Sequence, residues 1–264
     1  MTFVGNATVL IRHGGLTILT DPNFLHKGEH VHLGYGLTSE RLTDPAIRFD
    51  ALPPIDLVLL SHLHGDHFDQ LVEKRLDRNV PIVTTEHGAR ELRDMGFTAT
   101  QALATWESLQ VTKGGSTLRI TAMPGRHGPA VLHRALPPVM GSLLEFGGAG
   151  PAARYRMYIS GDTLVHDDIR EIPRRFPGID LALLHLGGTR ILNLLLVTMD
   201  AEQGVEMLRI VDPRTAIPIH YNDYTVFKSP IEDFERAVRE AGLQDRVRML
   251  KHGDAFKFTA RPPR

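Results

Sequence analysis

Apolar residues fall along the chain in short runs that suit strands. TVLIRH and LTILTD stand near the start, followed by IDLVLLS at 55–61, PIVTT at 81–85 and TLRITAMP at 117–124. SLLEF, YRMYISGD, DLALLHLGG and TAIPIHYND continue the series, each bounded by Gly, Pro or Asp. Between several runs the period lengthens to that of a helix. HFDQLVEKRL places Phe68, Leu71, Val72 and Leu76 on one face, AEQGVEMLRIV does so with Val205 and Leu208, and SPIEDFERAVREAG with Ile231, Phe234 and Val238. Strands alternating with helices predict an α/β protein. GGAGPAAR at 147–154 is short enough to join SLLEF to YRMYIS as a hairpin, and no low-complexity linker interrupts the chain. One domain over residues 1–264 is expected, with two similar halves meeting near residue 140.

Composition narrows the functional classes. The chain has 264 residues, 42% apolar and 23% charged, which is enough to bury a sizeable core. Lys and Arg number 30 against 31 Asp and Glu, so the basic excess that phosphate-backbone binding demands is missing, and no nucleic-acid partner is expected. Without cysteine there is no disulfide, thiolate ligand or Cys nucleophile. Any metal must be held by nitrogen and oxygen. No apolar run approaches the ~20 residues of a membrane helix, and MTFVGNATVLIRHGG lacks a signal pattern. A cytoplasmic enzyme acting on a small molecule, with a homo-oligomer as one option, is the expectation.

Chemistry concentrates in LVLLSHLHGDHFD at 57–69, where three histidines and two aspartates follow directly on an apolar run. In an extended segment alternate side chains point the same way, so His62 and His64 can face one ion, while Gly65 lets the chain turn before Asp66 and His67 enter a helix. Asp66 could instead cap that helix, and a lone histidine at a strand end more often packs than ligates. Four ligand-type residues within HLHGDH outweigh those readings. His127 in TAMPGRHGP, Asp162 in YISGDT and His220 in AIPIHYND also stand just beyond apolar runs. His62, His64 and His127 would make one site, Asp66, His67 and His220 a second, and Asp162 a carboxylate bridge between them.

With these residues in view, the chain resembles the metallo-β-lactamase-fold hydrolases, whose HxHxDH signature stands here as His62, His64, Asp66 and His67. GNATVLIRHGGLTILTDP, ISGDT and TMDAEQG followed by IPIHY make it more similar to the branch of ascorbate-6-phosphate lactonases and N-acyl-phosphatidylethanolamine phospholipase D. The resemblance covers nearly the whole chain. It implies a four-layer αβ/βα sandwich, two mixed sheets flanked by helices, with the active site along one edge. It also implies two divalent ions, zinc foremost and manganese next, and a metal-bridging hydroxide that cleaves a small ester-type substrate, a lactone or phosphoester. Asp66 would orient that nucleophile and pass its proton to the leaving group. An aspartate at 162 resembles lactonases, thioesterases and phosphoesterases, whereas β-lactamases of the fold mostly carry cysteine or another residue there. His64 stands where flavodiiron relatives have glutamate, and the chain is too short for the inserted domain of the nucleases. Persulfide dioxygenases share the histidine-rich pattern, so a mononuclear iron oxidoreductase is the alternative.

Around this set, Asp21 in LTILTDP can accept the remaining N–H of a ligand histidine, or simply turn the chain before Pro22. His185 ends an apolar run and could line the pocket, though a packed core histidine is the simpler expectation. Tyr221 and Asn222 are candidates for substrate contact, with Tyr224 and Lys228 behind them. FLHKGEHVHLGYG, with His26, His30 and His32, lacks rigid ligand spacing and suits a substrate lid. Trp106 and the LNLLLV run at 192–197 suit core or loop packing rather than a lipid site.

Overall fold

The computed structural model describes residues 1–34, 36–129, 136–147, 155–191 and 194–259. The chain begins with β1 (Thr2–Gly5), β2 (Thr8–His13) and β3 (Leu16–Thr20), then a short pair, β4 (His30–His32) and β5 (Thr38–Glu40). β6 (Leu57–Leu59), α1 (Gln70–Arg75), β7 (Ile82–Thr84), α2 (Glu86–Asp94) and β8 (Thr100–Ala102) follow. Next come β9 (Ser108–Lys113), β10 (Ser116–Met123), β11 (Gly141–Phe146), β12 (Tyr155–Ile159), α3 (Glu171–Arg175) and β13 (Leu181–His185). The remaining elements are β14 (Arg190–Ile191), β15 (Leu195–Leu196), α4 (Ala201–Val211), β16 (Thr215–Ile219) and α5 (Ile231–Glu240).

Two six-stranded mixed sheets result, one ordered β1-β2-β3-β6-β7-β8 and the other β16-β13-β12-β11-β10-β9. Strand alternation decides what lies between them. Val9, Ile11, Ile18, Leu57 and Leu59 meet Leu118, Ile120, Leu144, Leu183 and Ile217 across the inter-sheet space. Their neighbours Leu10, Leu19 and Val58 point the other way, onto Val72 of α1 and Leu92 of α2. On the far side Leu143, Tyr158, Ala182 and Leu184 cover Leu208 of α4 and Phe234 and Val238 of α5. These are the four layers of an αβ/βα sandwich, and burial on both faces is why the central strands read as unbroken apolar runs. Among the described residues no helix is long and apolar enough to cross a membrane.

Three sequence expectations need correction here. The sheets divide between Ala102 and Ser108 rather than near residue 140, because β9 opens the second sheet as the partner of β10. β9 alternates exposed and half-buried positions, so its apolar signal is faint. The first predicted helix is only six residues, with Asp69 as its cap accepting from the Val72 N–H at 2.8 Å. Asp66 and His67 therefore lie in the preceding turn, not in the helix, and Asp66 has no capping duty. β11 and β12 do pair antiparallel, from Ser142 opposite Ile159 to Phe146 opposite Tyr155; residues 148–154 of the expected hairpin connection lie outside the described residues.

The topology collects the chemistry at one edge. β3, β6, β7 and β8 run parallel, as do β12, β13 and β16, so their carboxyl ends point the same way within each sheet. Loops leaving such ends are where α/β sheets place ligands. Two backbone hydrogen bonds tie the sheets there, Met140 N–H to the Ser61 carbonyl at 3.1 Å and His220 N–H to the Asn6 carbonyl at 2.8 Å.

Candidate metal centre

The loop after β6 supplies His62, His64, Asp66 and His67; His127, Asp162 and His220 follow β10, β12 and β16. All seven are buried. Folding sorts them into two groups: His62, His64 and His127 in one, and Asp66, His67, Asp162 and His220 in the other, the possible ligand atoms of each lying within 4.8 Å of one another. In the first, His62 Nε2 is 2.9 Å from His64 Nδ1. In the second, His67 Nε2 is 3.1 Å from His220 Nε2 and 3.3 Å from Asp162 Oδ1, while His220 Nε2 is 3.3 Å from Asp66 Oδ2.

Acceptors behind the rings decide which nitrogen each presents. His127 Nδ1 lies 2.9 Å from the Val197 carbonyl and His220 Nδ1 lies 3.0 Å from the Leu186 carbonyl; a carbonyl only accepts, so both Nδ1 atoms carry the proton. Ser61 donates its hydroxyl to Asp21 Oδ1 at 2.9 Å, which leaves the oxygen's lone pairs for His62 Nδ1 at 3.0 Å and His67 Nδ1 at 3.3 Å. Four histidines thus turn a bare Nε2 toward the interior of the site, the form a metal ion requires. His64 Nε2, Asp66 Oδ1 and Asp162 Oδ1 are buried without hydrogen-bond partners. Such atoms normally cost ~1–3 kcal/mol each. A donor set of imidazoles and carboxylates with orphaned lone pairs fits divalent zinc or manganese.

The electrostatics point the same way. Burial opposes charge on His67 and His220, yet the carboxylates of Asp162 and Asp66 outweigh it and hold both rings above the ordinary histidine value. For Asp162 burial is likewise outweighed, by His220 and His67, and its carboxyl stays well below the usual range. This group therefore demands positive charge, which a dication supplies with the imidazoles neutral. In the other group burial dominates: it pushes His62 well down and, with His127 beside it, His64 to about 3.

Asp21 lies behind the second donor group. It accepts from the Ser61 N–H at 2.7 Å, faces His67 Nδ1 at 3.5 Å and has His185 Nε2 3.5 Å from its other oxygen. His185 is fully buried against Ser160 Oγ, at 3.2 Å, and does not line the cleft. Tyr221 and Asn222 are not at the cleft either. The Tyr221 hydroxyl donates to the Leu250 carbonyl and its ring joins the core, while Asn222 Oδ1 accepts from the Ile231 N–H that opens α5. His220 and Asn222 have φ of +62° and +56°, so the chain swings away from the site as soon as it has delivered His220. Tyr224 is buried, donating to Asn23 Oδ1, and the exposed Lys228 reaches the Thr225 carbonyl. His26, His30 and His32 are exposed and join no donor group among the described residues. Trp106 is half-buried with Arg175 over its ring; of the run at 192–197, Leu192 and Asn193 lie outside the described residues, Leu194 is exposed and Val197 is buried.

Three supporting side chains escaped the sequence reading. The Thr198 hydroxyl donates to Asp162 Oδ2 at 3.0 Å, Asn6 Nδ2 donates to the Asp66 carbonyl at 2.6 Å, and Asp69 accepts from the Phe24 and Leu25 N–H groups as well as capping α1. Asn6 stands in GNAT, Asp69 in HGDHFD and Thr198 in TMDAEQG, and no local pattern in those stretches signals the contacts.

The family model described as "Beta-lactamase superfamily domain" matches residues 17–221. The chain belongs to that superfamily. It is 28% identical over 263 residues to a UPF0173 metal-dependent hydrolase of Thermus thermophilus, with 97% of each chain covered. The crystal structure of an isothiocyanate hydrolase from Delia radicum gut bacteria superposes with a TM-score of 0.81 at 21% identity, over 98% of this chain and 99% of that one. A possible metal-dependent hydrolase from Veillonella parvula gives 0.79 at 20% identity, over 96% and 97%. The superfamily thus rests on the domain match, and the fold is the one these solved structures share.

Proposed function

We propose that this superfamily member is a binuclear hydrolase, loaded with zinc or manganese, that cleaves a small ester-type substrate such as a lactone or a phosphoester. The observation that carries the reading is the pair of adjoining donor groups, seven buried side chains of which His64, Asp66 and Asp162 have atoms without hydrogen-bond partners, which exceeds what one tetrahedral ion accepts. His62, His64 and His127 would hold one ion, and Asp66, His67 and His220 the other, with Asp162 spanning them. Bound there, the ions supply Lewis acidity and a water acidic enough to act near neutral pH. The chain supplies the rest. Asp162, His64, His127 and Asp66 form the polar floor of the cleft, where substrate must sit. Asp66 has one oxygen near His220 and the other free, and it holds the position from which a carboxyl group can carry a proton to the leaving oxygen. Buried ligands and apolar walls exclude bulk water, which strengthens every electrostatic contact inside.

Elemental analysis of the purified protein tests the count, with two ions per chain expected. A screen of the reconstituted protein against lactones, phosphodiesters, phosphomonoesters, thioesters and a persulfide tests the reaction. One iron per chain together with sulfur-dependent oxygen uptake would replace this reading with a mononuclear iron oxidoreductase.

A further inference from the structure

His64, His127, Asp66 and Asp162 of the donor groups form the floor of a narrow cleft. Its walls differ in character from its floor. Leu33, Leu37, Leu136, Ile191, Val197 and Val226 make them up, with Thr189 and Arg190 as the remaining polar members among the described residues. The six apolar side chains come from four places in the chain, so local sequence pattern did not align them. Three of these stretches are held by hydrogen bonds of their own. The Leu33 N–H donates to the Leu37 carbonyl at 2.9 Å across the β4–β5 turn, Ile191 pairs with Leu195 between β14 and β15, and the Val226 N–H donates to Ser39 Oγ at 3.1 Å. Leu33, Leu136 and Val197 are buried, which fixes the inner wall.

We infer that the part of the substrate beyond the scissile bond is an uncharged aliphatic or aromatic group, and that the bond itself belongs to a carboxylic ester, lactone or thioester rather than a phosphoester. This rests on the hydrolase reading above and narrows it. A phosphate or a sugar would need several donors beyond the floor. Arg190 is the one cation among the described lining residues, and it is already engaged, with Nη2 3.6 Å from Asp200 Oδ2 and Nη1 donating to the Leu194 carbonyl at 3.5 Å. An acyl chain fits, because each methylene placed against the leucine and valine walls leaves water.

Two measurements on the zinc-loaded protein test this. Binding of straight-chain carboxylates from acetate to octanoate, followed by calorimetry, should tighten by about fourfold per methylene until the walls are filled. Hydrolysis of p-nitrophenyl acetate, butyrate and hexanoate should follow the same order in kcat/KM and exceed that of bis-p-nitrophenyl phosphate. Leu37→Asp should flatten both series, lowering the hexanoate-to-acetate ratio at least tenfold. Graded binding without any turnover would uphold the apolar cleft and sink the hydrolase reading. Flat binding, or turnover that favours the phosphodiester and ignores chain length, would overturn this inference while leaving a hydrolase in place.

Discussion

Removing the carboxylate of Asp21 should weaken the centre without touching a proposed ligand. Asp21 is fully buried, accepts two hydrogen bonds from Ser61 and lies 3.5 Å from both His67 Nδ1 and His185 Nε2. Asp21→Ala leaves the Ser61 N–H unpaired in the interior, a cost of ~1–3 kcal/mol. It also strips His67 of a counter-charge, and breaking a buried pair costs ~3–5 kcal/mol in all, the two effects overlapping. Once the Ser61 hydroxyl is free to rotate, nothing holds its lone pairs toward His62 and His67, so their Nε2 atoms lose orientation. Metal retention should fall by roughly 10- to 100-fold. Asp21→Asn is the control, because its amide oxygen can still accept from Ser61 and asparagine tolerates the φ of +33° at this position, whereas alanine does not. It should keep most of the stability and, because the Ser61 hydroxyl stays oriented, most of the metal retention. Urea unfolding of the metal-free protein and competition with a chelator separate the two effects. An asparagine variant that loses retention as fully as alanine, or an alanine variant less than ~1 kcal/mol weaker, would refute the orienting chain from Asp21 through Ser61.

Three further outcomes follow from the geometry. Asp162→Ala should leave the protein folded, since strand burial supplies most of its stability, but should empty one site and cut turnover on the order of a hundredfold; metal stoichiometry, activity and thermal unfolding measured together check it, and two retained ions with near-normal turnover would remove Asp162 from the centre. Gly65→Ala should cost ~1–3 kcal/mol in urea unfolding and lower turnover as steeply, because a Cβ there would lie 2.6 Å from the His32 carbonyl oxygen, pushing His64 and Asp66 away from β4; wild-type kinetics would show that the hairpin yields instead. Asp223 is buried, and His252 and Arg41 outweigh that burial to hold its carboxyl below the ordinary value. Its stabilising contribution is complete above the unfolded value of about 4 and disappears as pH falls through the native one, so Asp223→Asn should flatten the acid limb of the metal-free stability curve below about pH 4. An unchanged limb would assign that loss to other carboxylates.

Much of this architecture was legible in the pattern of the chain. Ala201–Val211 forms a helix over the span its apolar spacing predicted, and TLRITAMP and SLLEF became adjacent strands of one sheet. α2 escaped notice because EHGARELRD buries only Gly88, Ala89 and Leu92, and it depends on the Thr85 side chain as its cap. Tyr221 and Asn222 drew attention by standing next to His220, but adjacency in sequence says nothing about direction once the backbone enters the left-handed region.

The sequence by itself determined the α/β elements and the kind of donor side chains. Strand and helix periods are local, and HLHGDH concentrates imidazole and carboxylate in six residues whatever the chain does elsewhere. Which nitrogen each histidine presents, and what surrounds the bond to be broken, were decided only by the tertiary structure. The Val197 carbonyl that orients His127 is 70 residues away, and the Leu186 carbonyl behind His220 is 34 away. Leu33 and Val226 meet across the cleft only because both sheets bring their loops to one edge. Hydrogen bonds and walls of this kind depend on position in space, and sequence spacing carries that information only within a single strand or helix turn.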